Sequence, residues 1–224
     1  MHMTLAAADL AAYVARQFDH LFPDGASLAD LPAFTRTALE RLEHCLGHIG
    51  VKGYRDADGL ARFNHRHTDQ YATFLYYLAN SAHRRSPGHP IAEKAYALNK
   101  ALHALDAFFE VALPDIFLLV HPIGTVLGRG TYADSFCCYH NCTIGANFKD
   151  EYPVFKPGVV MYSGARIVGA TTVGANTFVG TGTIVRDAGV LPDNVVLYGI
   201  TPAANHRPTN RRVTVDIFHA LANG

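Results

Sequence analysis

Group transfer near neutral pH needs a proton acceptor, and histidine supplies one with an unperturbed pKa near roughly 6.5. His140, in Cys138-Tyr139-His140-Asn141-Cys142, is the histidine best placed for that work. Asp134 and Ser135, a little upstream, are polar side chains that could orient it or hold what it acts on. A second polar knot, Asn64, His65, His67 and Asp69, stands where a helix begins. Thr68 or Asp69 as a helix cap accounts for part of it. A pocket for a small molecule, built from His65, His67 and Asp69, accounts for the rest. No helical face collects these histidines with the aspartate, so no metal is expected from them. Arg207, Arg211 and Arg212 near the end are cations for a phosphate group, or else belong to a solvated tail.

These residues must be positioned by a repeat. Every sixth residue from Phe155 reads Phe155, Met161, Ile167, Val173, Val179, Val185, Leu191, Leu197, and the positions between are small or polar. A period of six, neither 3.6 nor 2, means three short strands per turn, each offering one side chain to a narrow interior. Val120, Val126, Tyr132, Cys138 and Ile144 continue the period upstream, although Leu127-Gly128 looks like the usual apolar-small pair displaced by one. From Ile144 to Phe155 the step is eleven. The extra residues, Asn147 to Tyr152, carry three charges and two aromatics at a coil corner, which marks a loop pushed out for function. Ser163 and Thr181 are eighteen apart, one full coil, and so stack on one edge.

Upstream the chain is helical. Segments from Thr4 to Leu21, from Ser27 or Asp30 to His48, and from Thr68 onward carry apolar faces. The fourth shows Ile91, Ala95, Leu98, Leu102, Leu105 and Phe109 alternating four and three apart, a stripe that must pack on another helix or on its copy in a neighbouring subunit. Pro114 ends this half. The expected organisation is therefore an α+β chain: an α-helical domain over residues 1–113, a left-handed parallel β-helix of hexapeptide repeats over 114–205, and a C-terminal tail over 206–224. The formal net charge of zero argues against nucleic acid or an anionic membrane as partner. No apolar run has the length of a membrane span, the opening stretch has no cationic region or cleavage site, and four cysteines show neither zinc spacing nor disulfide density. A cytoplasmic protein is expected.

Helices followed by a hexapeptide β-helix resemble the serine acetyltransferases. The likeness is local too: Gly158-Val-Val-Met-Tyr-Ser-Gly-Ala-Arg-Ile-Val-Gly169 and Cys142-Thr143-Ile144-Gly145 are similar to that family's coils. His121-Pro122 resembles its first coil, and Gly199-Ile200-Thr201-Pro202-Ala203 its closing turn. The resemblance implies acetyl-CoA as donor, a homotrimer of β-helices and active sites between subunits, so that His140 would point into an intersubunit cleft. It also implies that Gly145, Ala146, Ser163, Gly164 and Thr181 contact the pantetheine arm, with Arg207 available to the phosphates. At the family's acceptor positions this chain departs. Ser135 stands in place of the general base, Leu119 in place of its orienting Asp, Glu151-Tyr152 in place of the loop's Arg-His pair, and His65 in place of an acceptor-binding Asp.

The resulting expectation is a coenzyme A-dependent acyltransferase with His140 as general base. It moves an acetyl group to a hydroxyl or amine of a small acceptor other than free serine: a sugar, a nucleotide sugar, or a modified or carrier-bound amino acid. Serine acetylation proper and an inactive trimeric scaffold remain alternatives, and the stripe on the fourth helix leaves room for a dimer of trimers. A zinc enzyme of the carbonic anhydrase kind needs three converging histidines. The β-helix holds only His121 and His140, with His206 beyond it, at the wrong spacing.

Overall fold

The computed structural model describes residues 1–219. Four helices come first: α1 (Ala7–Leu21), α2 (Leu31–Gly47), α3 (Thr68–Arg85) and α4 (Pro90–His103). Helix α1 buries Leu10, Val14 and Phe18, one stripe spaced by four. Helix α3 is central, with every residue from Asp69 to Ala82 buried. Two of its polar side chains donate to main-chain carbonyls beyond the helix. The Tyr76 hydroxyl donates to the Val111 carbonyl at 2.7 Å and Asn80 to that of Phe109 at 2.7 Å, tying the helix to the segment that leads into the repeats.

Helix α4 starts on Pro90, with the His89 side chain accepting the Ile91 N–H, and stops where Ala104 turns left-handed at φ 49°. The expected stripe therefore ends early. Ile91, Ala95 and Leu98 pack inward beside α3, with Asn99 donating to the Ala72 carbonyl at 2.9 Å. Leu105 and Phe109 lie beyond the helix, and Leu102 is exposed.

The second half is a three-faced parallel solenoid. The first face stacks Phe117–Leu119, Phe136–Cys138, Val159–Met161, Thr177–Val179 and Val195–Tyr198. The second stacks Asp106–Ala107, Val126–Leu127, Thr143–Gly145, Arg166–Val168 and Ile184–Arg186. The third stacks Thr131–Tyr132, Val154–Phe155, Thr171–Val173 and Gly189–Val190. The first strand to join, Asp106–Ala107, precedes Pro114 and lies parallel to Val126–Leu127.

Of the eight residues six apart, all are buried except Leu191, which is half-buried near the end of the solenoid. Partners in successive regular coils are eighteen apart, as in Ile167 with Val185. Across the loop they are twenty-three apart, as in Ile144 with Ile167, so the insertion is five residues. In the first coil the buried positions are Leu119 and Leu127, not Val120 and Val126. Two extra residues, His121 and Pro122, bulge at the corner and displace the register.

The tail is not free in solvent. Asn205–Pro208 pairs antiparallel with Val195–Tyr198, and a short helical turn α5 (Val213–Asp216) comes after it. The Asn176 side chain holds the Arg211 carbonyl and the Val213 N–H, Val213 is buried, and Phe218 bridges to Ile49 at the end of α2. All four cysteines are free and buried. Among the described residues no helix is long and apolar enough to cross a membrane.

Candidate active site

The corner between the first and second faces carries His140. There Asn141 N–H donates to the Ile123 carbonyl (2.9 Å), Gly164 N–H to that of His140 (3.0 Å) and Gly182 N–H to that of Ser163 (2.9 Å). These bonds stack Ile123, His140, Ser163 and Thr181 in one column, one residue per coil. The neighbouring column, Gly124, Asn141, Gly164 and Gly182, is left-handed throughout, with φ between 55° and 73°. That conformation explains the glycines and the asparagine, since few side chains tolerate it. The His140 ring is half-buried and has no hydrogen-bond partner among the described residues, so it is available to a ligand.

Asp134 and Ser135 lie elsewhere. They occupy the corner between the third and first faces, separated from His140 by the buried strand Phe136–Cys138. The Asp134 carboxylate accepts the Ile116 N–H at 3.0 Å, and Ser135 is left-handed at φ 64° with its N–H on the Ile116 carbonyl. Within one chain, then, neither orients His140. Gly145 and Ala146 sit at the third corner, beside the loop. A side chain at Gly145 would meet nothing within 4 Å, so this backbone is open to close approach.

The loop is built on Asn147. Its Oδ1 accepts the N–H groups of Lys149 and Glu151, and its Nδ2 donates to Glu151 Oε2 and to Asp187 Oδ1, both at 2.7 Å. That bond to Asn147 holds the Asp187 carboxyl below the usual carboxylate range, helped by the Ala170 N–H and the Arg186 charge. Glu151 is thus engaged within the loop. Tyr152 lies beside Arg129, which also faces Glu110 at 3.6 Å. Phe148 at the tip is 98% exposed. Of the tail cations, Arg207 is exposed on the last antiparallel strand opposite Val196. Arg211 is committed to Asp216 at 3.1 Å, over the Phe178 ring.

The helical knot divides. His67 occupies the cap position of α3 without capping it, its ring against Tyr54. His65 faces the amino-terminal segment, with its Nδ1 2.9 Å from Thr4 Oγ1 and its ring edge-on to Tyr13. Asp69 points instead to the solenoid, where it accepts the His121 N–H at 3.0 Å and lies 3.6 Å from the ring Nδ1. It lines a cavity of about 110 Å³ with Thr68, Leu102, His103, His121, Pro122 and Ile123. Asp69 is therefore grouped with His103 and His121 rather than with His65 and His67. Sequence reasoning passed over both partners as site residues. The one signal available was the first coil's surplus of two residues at His121-Pro122. Among the described residues no three His, Cys, Asp or Glu side chains are grouped to hold a metal ion.

The fold and corner chemistry define a hexapeptide-repeat protein of the left-handed β-helix kind with a helical amino-terminal domain. No protein-family model matches the chain. A putative serine acetyltransferase of Schizosaccharomyces pombe is 29% identical over 99 residues, 42% of this chain and 36% of that protein. The serine acetyltransferase of Buchnera aphidicola is 32% identical over 88 residues, 37% of this chain and 31% of that one. The chain thus matches about a third of the length of these relatives. The crystal structure of a Brucella abortus serine acetyltransferase in complex with coenzyme A superposes with a TM-score of 0.66 at 19% identity, covering 90% of this chain and 83% of that one. In fold, and in sequence over two-fifths of its length, the chain is serine acetyltransferase-like.

Proposed function

We propose that this protein is a coenzyme A-dependent acyltransferase that moves an acetyl group from acetyl-CoA to a hydroxyl or amine of a small acceptor. The observation that carries the reading is the column His140–Ser163–Thr181, which sets an unpartnered imidazole at the head of an edge of small and hydroxyl side chains. Pantetheine, thin and rich in amides, suits such an edge. His140 takes the acceptor's proton as the oxygen or nitrogen attacks the thioester carbonyl. The C–S bond then breaks, and the proton passes to the departing thiolate. Ser163, Gly164 and Thr181 hold the pantetheine arm, Gly145 and Ala146 line its approach at the neighbouring corner, and Arg207 faces the phosphates. No resident metal is required. The protein works in the cytoplasm as a homotrimer with sites between subunits, and the helical domains offer the surface through which two trimers would pair.

The acceptor in this reading is not free serine: a sugar, a nucleotide sugar, or a modified or carrier-bound amino acid fits better. Leu119, Ser135, Glu151 and Tyr152 replace the groups a serine acetyltransferase would use, and the carboxylate beside Ser135, Asp134, is engaged by the Ile116 N–H. A second reading, serine acetylation itself, is favoured by the names of the relatives, all serine acetyltransferases. Thiol release from acetyl-CoA with serine, homoserine, amino sugars and nucleotide sugars, for wild type beside His140→Ala, separates them. Turnover with a sugar, lost in the variant, supports the proposal. Brisk turnover with serine establishes the second reading. Failure to bind coenzyme A at all leaves an inactive scaffold.

A further inference from the structure

The cavity between the first turn of α3, the end of α4 and the first corner of the solenoid is built around a pair that the acyl-transfer reading does not use. Asp69 is 6% exposed, while the ring of His121 it faces is 75% exposed. The carboxylate therefore lies within the protein and the imidazole projects from it. His121 is also held in a left-handed conformation, φ 47°. The bond from its N–H to Asp69 and the buried Pro122 beside it maintain that geometry.

The surroundings define the ligand. Asp69 faces the Nδ1 edge of the His121 ring at 3.6 Å, which leaves Nε2 for a ligand. His103, whose Nδ1 lies 2.8 Å from Asn99 Oδ1, has its pKa lowered by burial, with the Asp69 charge opposing that effect. No lysine or arginine lines the cavity. Its wall at Ile123 belongs to the column that continues one coil later as His140. About 110 Å³ is room for a few atoms of a ligand rather than a nucleotide.

We propose that this cavity receives the acceptor, and that His121, its main chain held by Asp69 and its ring facing that carboxylate, is the positioning residue that binds a second hydroxyl or amine next to the reacting one. This rests on the acyl-transfer reading and narrows it. The acceptor is a polyol, sugar, amino sugar or amino alcohol, and a carboxylate finds no partner at this end.

The test uses the full chain with acetyl-CoA and glucosamine, ethanolamine or serine. His121→Gly keeps the left-handed backbone and removes the ring, His121→Asn restores an acceptor atom in a residue that tolerates that backbone, and Leu102→Trp fills the cavity from the helical side. The acceptor KM should rise roughly three- to tenfold in His121→Gly, the size of one lost hydrogen bond, and recover in part in His121→Asn. It should rise also in Leu102→Trp, with the acetyl-CoA KM unchanged in all three. An unchanged acceptor KM in both His121→Gly and Leu102→Trp, or a rise in the acetyl-CoA KM instead, overturns the assignment while leaving acyl transfer standing. Independently, glucosamine should move the ring-proton NMR signal that His121→Gly deletes. If it does so in a protein that releases no thiol, the cavity stands and the acyl-transfer reading falls. A signal that glucosamine, ethanolamine and serine all leave in place refutes the cavity.

Discussion

The carbonyl of His140 accepts the N–H of Gly164 at 3.0 Å, which sets His140 directly over Ser163 at one corner of successive coils. A histidine and a hydroxyl-lined edge are thereby brought to one corner by main chain. Replacing His140 by Ala should leave this bond, the fold and coenzyme A binding intact. It should lower turnover by a factor on the order of 10² to 10⁴, the usual share of a general base. Steady-state rates beside a coenzyme A titration check it, and equal rates would remove His140 from the mechanism.

Asp69 ties α3 to the first coil through the His121 N–H. Asp69→Ala strands that donor at the domain junction and should cost about 1–3 kcal/mol in urea unfolding. Asp69→Asn keeps an accepting oxygen and should retain most of the stability. Equal losses in the two variants would show that the charge, and not the bond, matters.

Gly174 and Gly145 should respond oppositely to a methyl group. A Cβ at Gly174 overlaps the Pro192 carbonyl in the next coil, a rigid main-chain neighbour, whereas Gly145 faces open space. Gly174→Ala should lower stability by about 1–3 kcal/mol or more. Gly145→Ala should leave the melting temperature in place and, if the pantetheine arm approaches there as proposed, raise the acetyl-CoA KM. An unchanged KM would take Gly145 out of the coenzyme site.

His103 should make stability depend on pH. Burial lowers its pKa below 6.5, so the unfolded chain binds its proton first as the solution is acidified. Its contribution is complete above about pH 6.5 and is lost as pH falls through the lowered folded value. His65, lowered by desolvation and by Arg66, acts with the same sign. Denaturation midpoints against pH should therefore decline less steeply below about pH 6.5 in His103→Gln than in wild type, with part of the slope remaining from His65. Parallel curves for the two proteins would refute this role.

Much of the solenoid is legible in the sequence because its interior is narrow. One side chain per strand fills it, so a period of six in Phe155, Met161, Ile167 and their successors is a direct record of the fold. The break between Ile144 and Phe155 records the loop in the same way. The first coil does not yield to the same period at Val120 and Val126, since two extra residues at one corner move the apolar position without removing it. The α4 stripe runs on past Ala104 for a related reason. Leu105 and Phe109 are buried within the segment entering the solenoid, and burial alone does not distinguish a helix from the chain just beyond its end.

The sequence alone determined the architecture, because it depends on spacings within a coil or two. Which polar residues meet was decided only by tertiary structure. Asp69 and His121 are fifty-two residues apart, and nothing local signals that the first turn of α3 docks on the first coil. Asp134 is six residues from His140, yet the strand Phe136–Cys138 between them sends the two to different edges. Sequence proximity sets reach along the backbone, while packing of the helical domain on the solenoid sets which charges share a cavity.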